Sequence, residues 1–165
     1  MRNKETEFIA DFCESHKGFY IDENPEKTLL NINYSDFFIE PDDEGFQYST
    51  ARSLLCGSCH IFALSLKEIL GYTPYIIEGI NHRSFHAFCQ IYKNCKWYYV
   101  DARGITSSFS EFMEVAKTFV TDEYIIRPVN DIDIEEWKKD SKYDQEAFAF
   151  AKAIINKFKE CYTFD

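Results

Sequence analysis

The chain has 165 residues, 45% of them hydrophobic, and its 18 Lys and Arg against 28 Asp and Glu give a net charge of −10. That length predicts a single domain, 1–165, able to bury a core without disulfide or metal staples. So acidic a surface argues against nucleic acid and against anionic membrane surfaces as partners, and leaves a basic protein partner open. The 16 Phe, 11 Tyr and 2 Trp are spread along the whole chain, which favours a ring-rich core over an aromatic groove. No stretch approaches the length of a transmembrane helix, and Met1-Arg2-Asn3-Lys4-Glu5 lacks the apolar core of a signal peptide. A cytoplasmic location is therefore expected, or export by a route without a recognisable signal. The six cysteines are accordingly read in a reducing compartment, where an even number is no evidence for disulfides.

In chain order, residues 4–15 read as a short amphipathic helix with Phe8, Ile9, Phe12 and Cys13 on one side. Residues 22–50 lack a clear period and read as loop, with a short strand at Leu29 to Ile32; N-terminal helix and irregular segment together make up 1–50. The clearest helix starts at Cys59: Ile61, Phe62, Leu66, Ile69 and Leu70 recur at helical spacing. Ser58 is placed as its N-cap and Gly71 as its stop. Strands follow at Tyr75 to Gly79, Phe85 to Tyr92 and Lys96 to Asp101, the last two joined by a hairpin at Lys93-Asn94-Cys95. Alternation puts His86, Phe88 and Gln90 on one face, and Trp97, Tyr99 and Asp101 share a face of the next strand. Ser108 with Glu111 matches a capping box for a helix to about Phe119, and a long last helix spans about 143–161, within a C-terminal segment of about 141–162. The acidic runs Asp42-Asp43-Glu44 and Asp131 to Glu136 read as solvated loops. Tight turns between strands imply an antiparallel sheet, and helices grouped around it an α+β fold, with a core of about 51–120.

The chemistry is expected at Cys59, His86 and Asp101. Cys59 opens a helix after Gly57-Ser58, where backbone N–H groups and the helix dipole favour a thiolate and could hold an oxyanion. A thiol nucleophile needs an imidazole to take its proton and return it to the leaving group. His86 begins a strand, and Asp101 ends the neighbouring one, where a carboxylate would fix the imidazole tautomer. Each residue alone has an ordinary structural explanation: a buried cysteine, a half-buried strand histidine, an aspartate in the turn before Ala102-Arg103-Gly104. The rivals are less well placed. Cys56 does not directly precede the helix, His82 falls in a loop, and His16 belongs to the N-terminal segment. His60 is expected to border the substrate cleft. Trp97 could pack over the site, though core packing fits it better, and Gln47 and Tyr48 are equal candidates for an oxyanion-hole side chain.

Gly57-Ser58-Cys59, the helix with Ala63, then Leu70-Gly71-Tyr72-Thr73-Pro74-Tyr75 and Glu78-Gly79 resemble the nucleophile helix and following strand of transglutaminase-like proteins. His86-Ala87-Phe88 is similar to their histidine strand, and Trp97-Tyr98-Tyr99-Val100-Asp101 to their aspartate strand. The resemblance spans about residues 54–106. It implies a papain/transglutaminase-like α+β fold and cysteine-dependent acyl transfer: amide or peptide hydrolysis, deamidation or transamidation of a peptide, protein or small amide substrate. The chain departs from many members in having His60 after the cysteine and Ala102-Arg103-Gly104 after the aspartate, which leaves subfamily and substrate open. A non-enzymatic protein-binding module of the same fold is the alternative, and a dithiol redox protein using Cys56 and Cys59 a further one.

Cys56-Gly57-Ser58-Cys59-His60 also matches the c-type haem attachment pattern, but such attachment normally needs export and the chain offers only Met113 beyond Met1. Zinc would need Cys56, Cys59, His60, Cys89 and Cys95 to converge, with Cys59 and His60 pointing in different directions from one helical turn. The expectation is therefore no cofactor and no metal.

Overall fold

A computed structural model describes residues 54–55, 57–81, 84–120, 123–140, 143 and 145–164. The expectations for 4–15 and 29–32, and those for Cys13, His16, Gln47, Tyr48, Cys56 and His82, lie outside the described residues.

Helix α1 (Cys59–Leu70) buries Ile61, Phe62, Ala63 and Leu66. Each of these larger aliphatic or aromatic side chains contributes roughly 1.5–3 kcal/mol when removed from water. The helix ends at Gly71, which sits at φ 72° and returns its N–H to Lys67 O at 2.9 Å. That left-handed turn is cheap for glycine and strained for other residues. Ser58 stands at the N-cap, as expected, but makes no side-chain capping bond. Its ψ of 25° is outside the extended range of an N-cap whose hydroxyl reaches back to the helix.

Strands β1 (Thr73–Gly79), β2 (Phe85–Lys93), β3 (Lys96–Asp101), β4 (Gly104–Thr106) and β5 (Tyr124–Pro128) form one sheet in the order β4-β3-β2-β1-β5. Every pairing is antiparallel. The β2–β3 connection is the expected tight hairpin, with Asn94 and Cys95 at φ 53° and 61°, the backbone of a mirror-image turn. Beyond β4 come α2 (Phe109–Phe119), α3 (Asp131–Trp137), α4 (Gln145–Lys157) and α5 (Lys159–Tyr162).

The sheet is covered on both faces. Ala87, Cys89, Val100 and Ile76 pack with α1, α4 and α5 in one cluster. Ile77, Phe88 and flanking Tyr75 and Tyr99 meet Phe112, Met113 and Ala116 of α2 in the other. Period-two alternation along β2 thus feeds two cores, as the sequence pattern implied. Rings dominate the second core: Phe88 and Phe112 lie 4.5 Å apart, Tyr99 and Phe112 5.0 Å.

Several expectations are corrected. The acidic run from Asp131 is a helix, not a solvated loop. Asn130 accepts from the Asp133 N–H and the Asp133 carboxylate takes the Asn130 N–H, so acidic residues here form a capping box. The helix is held down by Trp137, which is buried. β5 was not foreseen. Its partner is the outer edge of β1, which no local pattern of five residues announces. The last helix is broken at Phe158, where φ −115° and ψ 35° leave helical geometry and redirect Cys161 and Tyr162 into the core. At α2, Ser108 Oγ does accept from Glu111 N (3.3 Å), but the reciprocal half is replaced. Thr106 Oγ1 accepts the Ser108 N–H and donates to the Glu111 carboxylate. Trp97 neither covers the site nor enters the core. It pairs with Tyr92 across the distal hairpin end and is 44% exposed. Among the described residues no helix is long and apolar enough to cross a membrane.

Candidate active site

Cys59 is the first residue of α1, and its position depends on the chain reversal before it. Gly57 adopts φ 106°, a region that L side chains rarely enter, and so lets the backbone turn into the helix. The Cys59 side chain then meets the opening of β2, where Sγ accepts the Ala87 N–H at 3.3 Å. That contact fixes the sulfur beside His86.

Register places the other two residues. Cys89 pairs with Val100, so the ladder runs toward the end of β3 with Asp101 diagonal to His86 on one face. His86 Nε2 and Asp101 Oδ2 are 3.1 Å apart, with exposures of 0% and 2%. Nε2 is thereby taken by the carboxylate, which leaves Nδ1 for the Cys59 thiol, to which His86 is hydrogen-bonded. The three residues singled out in the sequence form one chain: thiol, imidazole, carboxylate.

Electrostatics follow from that chain. Burial alone would push the Cys59 thiol up, but hydrogen bonds to His60 and His86, the charge of His86 and the Ala87 N–H bring it down to about 6. Burial would likewise push His86 down; hydrogen bonds to Asp101 and Cys59, with the charges of both, hold it up at about 9. Between those values the stable form is a thiolate beside an imidazolium. For Asp101, burial raises and the Arg103 guanidinium and His86 lower, leaving the carboxyl well below the usual carboxylate range. Cys89 is the contrast: burial drives its thiol far above the ordinary range, and Sγ donates to Ala63 O at 3.4 Å.

Arg103 was not foreseen as part of this arrangement. Its Nε reaches Asp101 Oδ1 (3.1 Å) and its Nη2 reaches Oδ2 (2.7 Å). The backbone N–H of Arg103 also donates to Oδ1 (3.0 Å). Asp101 is therefore both a turn residue and the partner of His86. Arg103 is anchored in turn by Glu111 O and Phe112 O at the head of α2 (3.1 and 2.9 Å). Tyr162 of α5 donates to Ala102 O at 2.9 Å and pins the same turn from the other side. The Asp-x-Arg spacing was a signal for the turn; nothing in it announced the fork.

A cleft of about 540 Å³ opens beside the thiol, lined by Leu55, Gly57, Cys59, His60, Ser84, Phe85, Glu136, Trp137 and Asp140. His60 borders it, as expected, but it does not point away from Cys59: the two side chains are hydrogen-bonded. The far wall comes from α3, the segment that sequence reading left as loop. A second cleft, of about 610 Å³, lies between α1 and α4 and contains no candidate nucleophile. Among the described residues, no three His, Cys, Asp or Glu side chains converge as metal ligands; Cys89 is in the core and Cys95 on the exposed hairpin.

No protein-family model matches this chain, and no curated protein or solved structure matches it significantly.

Proposed function

We propose that the chain is a cysteine-dependent acyl-transfer enzyme of the papain/transglutaminase-like kind, with Cys59 as nucleophile, His86 as base and acid, and Asp101 as orienter. The observation that carries this reading is the buried Cys59–His86–Asp101 chain, with the thiol lowered to about 6 and opening on a cleft. A structural cysteine has no need of a lowered pKa; its neighbour Cys89 shows the opposite shift.

In the proposed reaction the thiolate adds to a substrate carbonyl carbon, and the electron pair of the C=O moves onto oxygen. The free N–H groups at the start of α1 stabilise that oxyanion. The tetrahedral intermediate collapses, the C–N bond breaks, and His86 gives its proton to the departing amine. Water then adds to the thioester with His86 as base, releasing the acid and the thiolate. Hydrolysis is the default outcome, because water needs no second-substrate site. Deamidation of a glutamine follows the same course with ammonia as leaving group, and transamidation replaces water with an amine. Asp101, held by Arg103, keeps the His86 ring oriented through every step.

The test is site-resolved alkylation by iodoacetamide between about pH 5 and 9, read by peptide mass spectrometry. An ordinary thiol titrates near ~8.5. Cys59 should reach half its maximal rate near 6, and His86→Ala should abolish that early reactivity. If Cys59 reacts slowly below neutrality in the wild type, or stays closed until denaturation, the enzyme reading is lost and a binding role for the fold takes its place.

A further inference from the structure

The cleft beside Cys59 has an unusual chemical bias. Its charged lining, among the described residues, consists of Glu136 and Asp140, with no lysine or arginine. Lys139 does pair with Glu136 (2.8 Å), but both side chains are about two-thirds exposed, at 71% and 65%, so that bond is weak and exchangeable. The floor is aromatic: Phe85 and Trp137 stack at 5.7 Å and 20°, offering a ring face to a cation.

The third feature is independent of those carboxylates. His60 is only 3% exposed, and its Nε2 is buried with no hydrogen-bond partner. Its ring is wedged against Trp137 (5.3 Å), which fixes its direction. Leaving such an atom unsatisfied costs about 1–3 kcal/mol, so a polar ligand atom is the natural complement. Since His60 also hydrogen-bonds to the Cys59 sulfur, Nδ1 is the nitrogen that carries the proton toward a thiolate. In that tautomer Nε2 is an acceptor. Carboxylates, ring faces and Nε2 all seek a donor or a positive charge.

We infer that this cleft is the recognition subsite for an acyl substrate bearing a cationic N–H group, an ammonium or guanidinium, seated between Glu136 and Asp140 over the Phe85–Trp137 rings with His60 Nε2 accepting from it. This rests on Cys59 being the nucleophile, and it concerns the acyl donor, not the group that later accepts the acyl chain.

Methanethiosulfonates of opposite charge separate the two ideas. The thiolate attacks the sulfenyl sulfur, forms a mixed disulfide and expels methanesulfinate, so the reagents differ only in the group that must enter the cleft. Rates at Cys59 are measured at low salt for the aminoethyl and sulfonatoethyl reagents and for neutral methyl methanethiosulfonate. Each is normalised to N-acetylcysteinamide. The cationic reagent should be favoured over the anionic one by about tenfold or more, the scale of electrostatic focusing in a cleft. Glu136→Gln/Asp140→Asn should remove most of that preference, as should about 0.5 M salt. Glu123→Gln/Glu160→Gln carries the same charge change outside the cleft lining and should keep the preference. A ratio near unity in the wild type, equal losses in both double variants, or a Cys59 closed to every reagent overturns the subsite. A slow reaction with the neutral reagent instead sinks the activated thiol while the charge ratio is still read. Fast neutral labelling without charge preference sinks the subsite alone.

Discussion

Replacing Arg103 with methionine tests whether the Asp101 carboxylate is held from behind. The side chain is 8% exposed and the Asp101 side chain 2%. Arg103→Met keeps most of the volume but removes the two bonds from Nε and Nη2 to the carboxylate, at 3.1 and 2.7 Å. It also removes the donors to Glu111 O and Phe112 O. His86 and the Arg103 backbone N–H remain, so the buried charge is only partly compensated. Losing one partner of a buried pair costs about 3–5 kcal/mol. Against a total of about 5–15 kcal/mol for a domain, that is a large fraction. Arg103→Lys keeps the charge and loses the fork, and should cost about 2 kcal/mol. Equilibrium urea unfolding at neutral pH, followed by the fluorescence of the buried Trp137, measures both. A cycle with Asp101→Asn should give a coupling of about 2 kcal/mol. If Arg103→Met costs under about 1 kcal/mol, or the cycle is additive, the guanidinium is not what holds the carboxylate.

Asp101 also predicts an acid limb of stability. Its folded pKa lies below the ordinary 3.8, so its contribution is complete above that value and lost as pH falls below it. The stability gap between wild type and Asp101→Asn should therefore narrow as pH drops from about 5 to about 2; a constant gap counts against the ion-pair account. Tyr162→Phe leaves the Ala102 carbonyl without its hydroxyl donor and should cost about 1–3 kcal/mol in thermal or urea unfolding, whereas a neutral result would mean the turn needs no such pin. Gly71→Ala meets nothing within 4 Å, so only the backbone strain at φ +72° opposes it. It should destabilise by about 1–2 kcal/mol, and a gain in melting temperature would contradict that reading.

The parts of the fold that sequence made legible are those specified by local pattern. Helix α1 follows from Ile61, Phe62 and Leu66 on one side and Gly71 at the end. The β2–β3 hairpin follows from alternating residues around a short turn, and alternation is enough to put His86 and Asp101 on one face. Segments whose stability comes from elsewhere were not legible. β5 is half-buried at best and exists because the β1 edge offers it hydrogen bonds. α3 looks like solvated acid in one dimension, although Asn130 and Asp133 did carry a capping signal that could have been read. The interruption at Phe158 lies within a continuous helical pattern and is decided by where Tyr162 must go.

Sequence by itself determined which residues are candidates: a cysteine at a helix start, a histidine and an aspartate on adjacent strands. Their types, order and strand parity are properties of the chain, and strand parity alone restricts which side chains can meet. Only the tertiary structure decided that the sulfur lies against Ala87 and His86, that Arg103 grips Asp101, and that α3 closes the cleft with Trp137, Glu136 and Asp140. The reason is physical. Local pattern fixes the direction in which a side chain leaves the backbone, while burial, hydrogen-bond geometry and the resulting pKa depend on what other segments place there.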